Sequence, residues 1–130
     1  ARVRLLGNRA DTPRILAALD VLTNSSYSEA FPLAVGEAMA SALPCVATDV
    51  GDTAALMGPA GLLVPPGDSQ AIAGAWADLI TAGAPARREL GERARQRILD
   101  HFTLDECVRR YEALYGSGPT PLPALRRVIT

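Results

Sequence analysis

Residues 21–48, VLTNSSYSEAFPLAVGEAMASALPCVAT, contain the pattern that decides the fold. Val21–Thr23 is a short apolar run that predicts a strand, and the polar residues after it predict a loop. A helix is predicted over residues 31–42, with Pro32 in its first turn. Cys45–Thr48 is a second apolar run and predicts a second strand. This order of strand, helix and strand indicates parallel strands joined by a crossover helix.

The same alternation continues on both sides of this unit. Before it, Val3–Leu6 predicts a strand, and Asp11 begins a helix that runs to about Leu19. After it, Leu62–Val64 predicts a strand that ends at a Pro-Pro-Gly turn. We therefore expect an α/β fold: a partial, Rossmann-like parallel sheet of about four strands with helices on both faces.

Further helices are predicted from caps and apolar spacing. One covers residues 53–57, and another covers residues 85–100. A third helix is capped by Asp68 or Ser69, and its predicted buried stripe is Ile72, Trp76, Leu79 and Ile80. A fourth is capped by Thr103, and its predicted buried stripe is Leu104, Val108, Tyr111 and Leu114. Trp76 is expected in the core rather than stacked on a base. Residues 1–116 should form one domain and residues 117–130 a tail.

Composition excludes several classes of function. Of the 130 residues, 48% are hydrophobic and 21% are charged, which favours a folded domain over a disordered chain. The net charge of −1 provides no basic surface for nucleic acid or an anionic membrane. No apolar run is long enough to span a bilayer. We expect no nucleic-acid partner, and a cytoplasmic location with at most a peripheral position at an inner membrane face.

Few residues offer nucleophilic or metal chemistry. His101 is the single histidine, so neither a metal site nor a Ser-His-Asp arrangement is supported. Cys45 lies in an apolar run and is expected to be a buried, inert thiol.

Two carboxylates in the decisive stretch, Glu29 and Glu37, are separated by seven residues. On one helix they would be roughly 12 Å apart along the axis and about 80° apart around it, so both could face one cleft. Between them the helix start presents backbone N–H groups, at Phe31 and Leu33 for example, that attract phosphate. A ligand with hydroxyls at both ends and a diphosphate between them would fit. Spacing alone favours a simpler interpretation, in which Glu29 is a loop or capping carboxylate and Glu37 is a solvated helix residue.

The stretch resembles the donor site of the retaining GT-B glycosyltransferases called group 1, or family 4. Their signature is a pair of glutamates separated by seven residues, together with characteristic flanking segments. The matching segments here are SEAFPL (28–33), EAMA (37–40), PCVATDVG (44–51), GLLVPPGD (61–68), VRLLGNR (3–9) and ALDV (18–21). The resemblance covers nearly all of residues 3–115.

This resemblance implies the second domain of a GT-B fold and a UDP-, GDP- or ADP-sugar as donor substrate. It implies transfer with retained anomeric configuration and neither a cofactor nor a metal in the chemistry. Glu29 would contact the transferred sugar as the catalytic residue, and Glu37 would bind the ribose. The other implied contacts are the backbone of Ala30, Phe31 and Leu33 with sugar and phosphate, and the loop containing Leu6 and Arg9 with the base.

The sequence also departs from the family pattern. Asp52 replaces a usual second glycine, and Ala42 stands where a helix-ending glycine is usual. No residues match the Arg and Lys that grip the diphosphate, and no acceptor-binding domain is present. We therefore expect the chain to be inactive by itself. The alternative is a non-catalytic interaction or oligomerisation module that retains this fold.

By this resemblance the chain would begin at the third strand of a sheet of order 3-2-1-4-5-6, and the first two strands, which lie between the third and the fourth, would be missing. Val21–Thr23 would form an exposed sheet edge, which tends to pair with another chain. We expect Val3–Leu6 either to pair directly with this edge or to cross to a second copy, which would give an edge-paired or strand-swapped homo-oligomer.

Overall fold

A computed structural model describes residues 3–116. Its centre is a parallel sheet with the strand order β1 (Leu22–Asn24), β2 (Cys45–Thr48) and β3 (Leu62–Val64). Thr23 lies opposite Val46, and Val46 lies opposite Leu62. The predicted α/β class and parallel sheet are confirmed. The described residues form a 3-stranded sheet rather than one of about four strands.

Helices lie between and around these strands. They are α1 (Thr12–Leu16), α2 (Leu33–Ala40), α3 (Thr53–Met57), α4 (Ser69–His101) and α5 (Leu104–Gly116), with a 3-10 turn at Gly58–Ala60. Helix α4 is interrupted at Gly83, whose φ is 82°, so the two helices predicted here are present as two segments. Asp68 caps the first segment by accepting a hydrogen bond of 2.9 Å from the Ala71 N–H. The predicted tail, 117–130, lies outside the described residues.

Both faces of the sheet are covered, as predicted. On one face, Cys45 and Ala47 belong to a buried cluster with residues of α2, α3 and the second segment of α4. On the other face, Val46 and Val64 pack with both segments of α4, including Leu79. All four residues of β2 are buried, as expected for the inner strand of a parallel sheet covered on two sides. This rigid centre holds the loops that follow the three strands.

Helix α2 ends in a Schellman motif at Ala42. The Leu43 N–H donates to the Ala38 carbonyl and the Ala42 N–H donates to the Met39 carbonyl, each at 3.0 Å. Ala42 has a φ of 58°, in the left-handed region that favours glycine. The helix therefore ends at Ala40 rather than continuing to residue 42.

The predicted strand at Val3–Leu6 is wrong. These residues form no strand, and within residues 3–116 strand β1 pairs only with β2. Leu5 is 94% exposed. If Val3–Leu6 corresponds to the third strand of a doubly wound sheet of order 3-2-1-4-5-6, it would not lie beside β1 as the fourth strand, because two other strands separate these positions. The expected direct pairing with Val21–Thr23 is therefore absent.

Two predicted apolar stripes are not buried as predicted. In α4, Leu79 is buried, but Trp76 is 46% exposed and Ile80 is 71% exposed because no described element packs beyond β1. In α5 no residue is buried. Its exposed stripe consists of Leu104, Val108, Tyr111 and Leu114. Helical spacing predicts which residues share a face, but it does not provide the surface on which that face packs.

Within residues 3–116 no helix combines the length and the hydropathy needed to cross a bilayer.

Candidate functional site

The loops that follow the three strands meet at the carboxyl edge of the sheet. The Asp49 N–H after β2 donates to the Val64 carbonyl at the end of β3 (2.9 Å). The Tyr27 ring, in the loop after β1, lies next to Gly67, in the loop after β3. In open α/β sheets, ligands bind at this edge. The loops after β1 and β2 therefore place their side chains where a ligand would bind.

Glu29 is held by two donors from its own loop. Its Oε1 accepts a hydrogen bond of 2.7 Å from the Ser26 hydroxyl and one of 3.2 Å from the Asn24 side-chain amide. These two bonds, that from Ser26 first, lower the pKa of the Glu29 carboxyl below its ordinary value because they favour the ionised form. Glu29 is partly buried, and the two hydrogen bonds fix the position of its carboxylate.

The loop that holds Glu29 is itself fixed to the sheet. The Ser26 N–H donates to the Asn24 Oδ1 at 2.9 Å, which closes an Asx turn at the end of β1. The Thr48 hydroxyl, at the end of β2, donates to the Ser26 carbonyl at 2.6 Å. Thr48 is 1% exposed, so the donor of this bond is buried, while Ser26 is partly buried. The carboxylate is therefore connected to the buried strand β2 through Ser26.

Gly51 allows the loop after β2 to pack against the Glu29 backbone. A Cβ at Gly51 would lie 1.9 Å from the Glu29 carbonyl oxygen, and the Gly51 φ is +54°. The next residue, Asp52, donates its N–H to the Ala30 carbonyl at 3.0 Å. A glycine is required here both for space and for the left-handed backbone. Asp52 stands where the resemblance gives a second glycine, and its backbone N–H holds the Ala30 carbonyl in place.

The N-terminus of α2 is open. Pro32 is its N-cap residue and makes no side-chain capping bond. The Val35 and Gly36 N–H groups donate to the Pro32 carbonyl, whereas Leu33 at the helix start is exposed. The Phe31 ring packs on Phe102, with ring centroids 5.9 Å apart. Leu33 and Ala34 are exposed, and within residues 3–116 their N–H groups make no hydrogen bond, so these two donors are free to bind a ligand.

Glu37 lies on the exposed side of α2, away from the buried residues Val35, Ala38 and Met39, as predicted. It lines a cavity of about 250 Å³ between α1 and α2. The other lining residues are Thr12, Pro13, Leu16, Ala40 and Ser41. This groove is polar at Glu37 and apolar on the side of α1.

Leu6 and Arg9 are both exposed and lie in the segment before α1. The Arg9 guanidinium makes a two-pronged ion pair with Asp11, with bonds of 2.8 and 2.7 Å. This pair lowers the pKa of the Asp11 carboxyl. In the described part of the chain, no hydrogen bond or ion pair joins Leu6 or Arg9 to either glutamate. The structure thus joins Glu29 and Ala30 to the loop after β2 by close packing and a hydrogen bond, and shows no such bond from Leu6 or Arg9 to either glutamate within residues 3–116.

Sequence reasoning did not identify Asn24, Ser26, Thr48 and Gly51 as parts of this site. The Asn-x-Ser spacing before Glu29 was a usable signal, because such residues form Asx turns. The contacts of Thr48 and Gly51 join segments about twenty residues apart along the chain, so no local pattern predicts them.

A parallel sheet covered by helices on both faces makes this chain an α/β domain, a class in which ligands bind at the carboxyl edge of the sheet. Residues 1–82 match the family described as glycosyl transferases group 1. The chain therefore belongs to the group 1 glycosyltransferases.

Relatives in sequence and structure agree with this assignment. The chain is 33% identical over 116 residues to N-acetyl-alpha-D-glucosaminyl L-malate synthase of Bacillus anthracis, covering 88% of this chain and 30% of that protein. It is similar to sucrose-phosphate synthase from Thermosynechococcus elongatus, with a TM-score of 0.71 and 34% identity over 79% of this chain and 26% of that one. It also matches the C-terminal domain of a group 1 family glycosyl transferase from Francisella tularensis, with a TM-score of 0.66 and 25% identity over 78% of this chain and 53% of that one. The chain thus spans 30% of the length of the curated relative.

Proposed function

We propose that this chain binds the donor substrate, a nucleotide diphosphate sugar, for a retaining glycosyltransferase. The observation that carries the proposal is the open N-terminus of α2, which begins four residues after the positioned carboxylate of Glu29. Accessible backbone N–H groups and the positive end of the helix dipole attract a diphosphate. An ionised carboxylate beside them accepts hydrogen bonds from sugar hydroxyls.

Each part of such a donor has a partner in this arrangement. Glu29 is the proposed catalytic residue and contacts the transferred sugar. The backbone of Ala30, Phe31 and Leu33 holds sugar and phosphate, and Glu37 on the exposed side of α2 binds the ribose hydroxyls. The groove between α1 and α2 then continues from Glu37 towards the base. Leu6 and Arg9 contact the base if the segment before α1 closes over it.

The chemistry assigned to the parent enzyme is electrostatic. The helix start stabilises the charge that develops on the departing diphosphate, and this kind of stabilisation is often the largest contribution to catalysis. No metal or cofactor is assigned to this step, and the donor is a UDP-, GDP- or ADP-sugar. We expect the chain alone to bind donor without transferring sugar, because the family places the acceptor site and the diphosphate-gripping Arg and Lys elsewhere in the enzyme.

Calorimetric titration of the chain with UDP-, GDP- and ADP-sugars tests the proposal. One nucleotide class should bind, and Glu37→Ala should weaken binding by about tenfold, as expected when a hydrogen bond to a charged group is lost. Glu92→Ala is the matched control, because Glu92 is also an exposed helical glutamate but lies on α4. The absence of binding by any sugar nucleotide, or equal effects of the two substitutions, would contradict the proposal.

The open edge of β1 favours a second candidate, an interaction module that associates with a second copy. Val21, Thr23, Trp76 and Ile80 line a cavity of about 350 Å³ along this edge together with Asp20. The Trp76 indole N–H donates to the Thr23 hydroxyl at 2.8 Å, so the ring is held beside the outer edge of β1, which has no partner strand within residues 3–116. Unpaired strand edges with apolar surroundings promote association between chains.

Light scattering across a concentration series tests this second candidate. A dimer is expected, and Ile80→Glu should convert it to a monomer because a charge would be placed in the contact. A wild-type monomer at all concentrations would rule out association through this edge. Donor binding and edge association are measured separately, so either result stands without the other.

A further inference from the structure

The two donors that hold Glu29 leave the carboxylate with two unlike oxygens. Its Oε1 accepts hydrogen bonds from both Ser26 and Asn24. Its Oε2 accepts none within residues 3–116, and it is not among the buried polar atoms that lack a partner. One oxygen is thus occupied by the protein, while the other is open to solvent.

We propose that Thr48, Ser26 and Asn24 are positioning residues that present Glu29 to the donor sugar as an ionised acceptor with a single open oxygen. Thr48 fixes the Ser26 carbonyl, the Ser26 hydroxyl and the Asn24 amide fix Oε1, and Oε2 remains for one hydroxyl of the sugar. This inference rests on the proposed function, since it assigns a ligand to Oε2.

The direction of each hydrogen bond supports this assignment. The Thr48 hydroxyl donates to the Ser26 carbonyl, and the Ser26 hydroxyl donates to the Glu29 carboxylate. The Asn24 side chain serves twice, since its oxygen accepts from the Ser26 N–H while its amide donates to Glu29. Donors on one oxygen favour the ionised carboxylate and thus lower the pKa of Glu29. A carboxylate held in this way accepts a hydrogen bond from a hydroxyl and has no proton to donate at neutral pH.

The Thr48 link is what makes this arrangement a positioning device rather than a local loop contact. Thr48 lies in the inner strand and is buried, whereas the loop it holds is at the surface. Gly51 adds a second restraint, because its backbone packs against the Glu29 carbonyl. The side chain and the main chain of Glu29 are therefore held from two directions. Such restraint is required of an acceptor that must meet one particular sugar hydroxyl.

The first test needs no ligand. Carboxyl-detected NMR of the 130-residue chain follows the titration of Glu29 in wild type, Ser26→Ala, Thr48→Val and Thr48→Ser. The Glu29 pKa should shift upward towards the ordinary range in Ser26→Ala and Thr48→Val and should be restored in Thr48→Ser. Ser25→Ala is the control, because Ser25 is an exposed serine of the same loop, and it should leave the titration unchanged. An unchanged Glu29 pKa in Ser26→Ala would overturn the proposal, and this variant decides alone if Thr48→Val does not fold.

The second test separates positioning from general damage to the site. The sugar nucleotide that binds best and the matching nucleoside diphosphate without sugar are titrated into the same variants. Ser26→Ala should weaken the sugar nucleotide by roughly threefold to tenfold, the range for one hydrogen bond, and leave the nucleoside diphosphate unaffected. Equal weakening of both ligands would show a merely structural role and overturn the proposal. Failure of every variant to bind any nucleotide would instead refute the proposed function, while the carboxyl titration would still decide whether these residues hold Glu29.

Discussion

Gly51 packs so closely against Glu29 that no other residue fits at its position without a shift. A Cβ there would lie 1.9 Å from the Glu29 carbonyl oxygen and 3.0 Å from that of Ala30. The φ of +54° separately disfavours a side chain. The loop after β2 and the residue that is the proposed sugar contact are therefore parts of one rigid edge.

Replacing this glycine should damage both the fold and the site. Gly51→Ala should lower the free energy of unfolding by more than about 2 kcal/mol, because left-handed strain and the clash act together. Denaturant titration measures this loss, and calorimetry should show weaker donor binding. Gly74→Ala is the control, because a Cβ there meets nothing within 4 Å and the residue lies inside α4. It should raise stability by about 0.5–1 kcal/mol, and a Gly51→Ala protein of wild-type stability would contradict the packing described.

The hydrogen bonds to Glu29 should make stability depend on pH. Because the native pKa of Glu29 lies below its ordinary value of 4.5, the ionised carboxylate stabilises the fold above that pH. This contribution is lost as the pH falls through the native pKa. The difference in stability between wild type and Ser26→Ala should therefore be largest at about pH 7 and should narrow as the pH is lowered below 4.5. Asp11 also has a lowered pKa, but it is unchanged between the two proteins and cancels in the difference. A difference that grows on acidification would contradict the assignment.

Ala42 is a site where one substitution should stabilise the protein. Its φ of 58° is costly for alanine, and glycine removes that strain. Ala42→Gly should raise the free energy of unfolding by about 0.5–1 kcal/mol. This figure includes the larger conformational entropy that glycine loses on folding. Ala73→Gly, at an exposed position inside α4, should instead lower it by about 1 kcal/mol. Thermal and denaturant unfolding of the two variants provide the comparison, and a destabilising Ala42→Gly would count against the Schellman geometry.

The two cysteines should differ sharply in reactivity. Burial raises the pKa of the Cys45 thiol to about 12, and this thiol donates to the Leu43 carbonyl at 3.4 Å. Cys107 is exposed, and neither cysteine forms a disulfide. Because the thiolate is the reactive form, a thiol reagent at neutral pH should label Cys107 rapidly and Cys45 only after unfolding. Mass spectrometry of labelled peptides identifies the site, and rapid native labelling of Cys45 would show that the core around β2 opens.

The local sequence pattern was sufficient to predict the bounds of elements that are flanked by turn residues and packed on both sides. Cys45–Thr48, Thr53–Met57 and Leu62–Val64 have the bounds that their apolar runs and turns predict. The strand at 21–23 is displaced by one residue, because its register with β2 begins at Leu22. Val3–Leu6 has an equally apolar pattern but forms no strand, since pairing depends on a neighbour that sequence periodicity does not reveal.

In the candidate site, too, the local sequence predicted some features, while others depend on contacts with distant segments. Glu29, Glu37 and the start of α2 were predicted, and the structure leaves that helix start open. The partners that hold Glu29 were not predicted, because Thr48 and Gly51 reach it from another strand and another loop. Trp76 was expected in the core, but the β1 edge beside it has no further strand among the described residues.

The sequence by itself determined the α/β class, the family resemblance and the two glutamates around a helix start, because these depend on residue type and spacing along the chain. Only the tertiary structure decided which oxygen of Glu29 remains open, which glycine has no room for a side chain and which apolar stripes stay at the surface. These properties arise from contacts between distant segments, and such contacts exist only once the strands have set the distances between their loops.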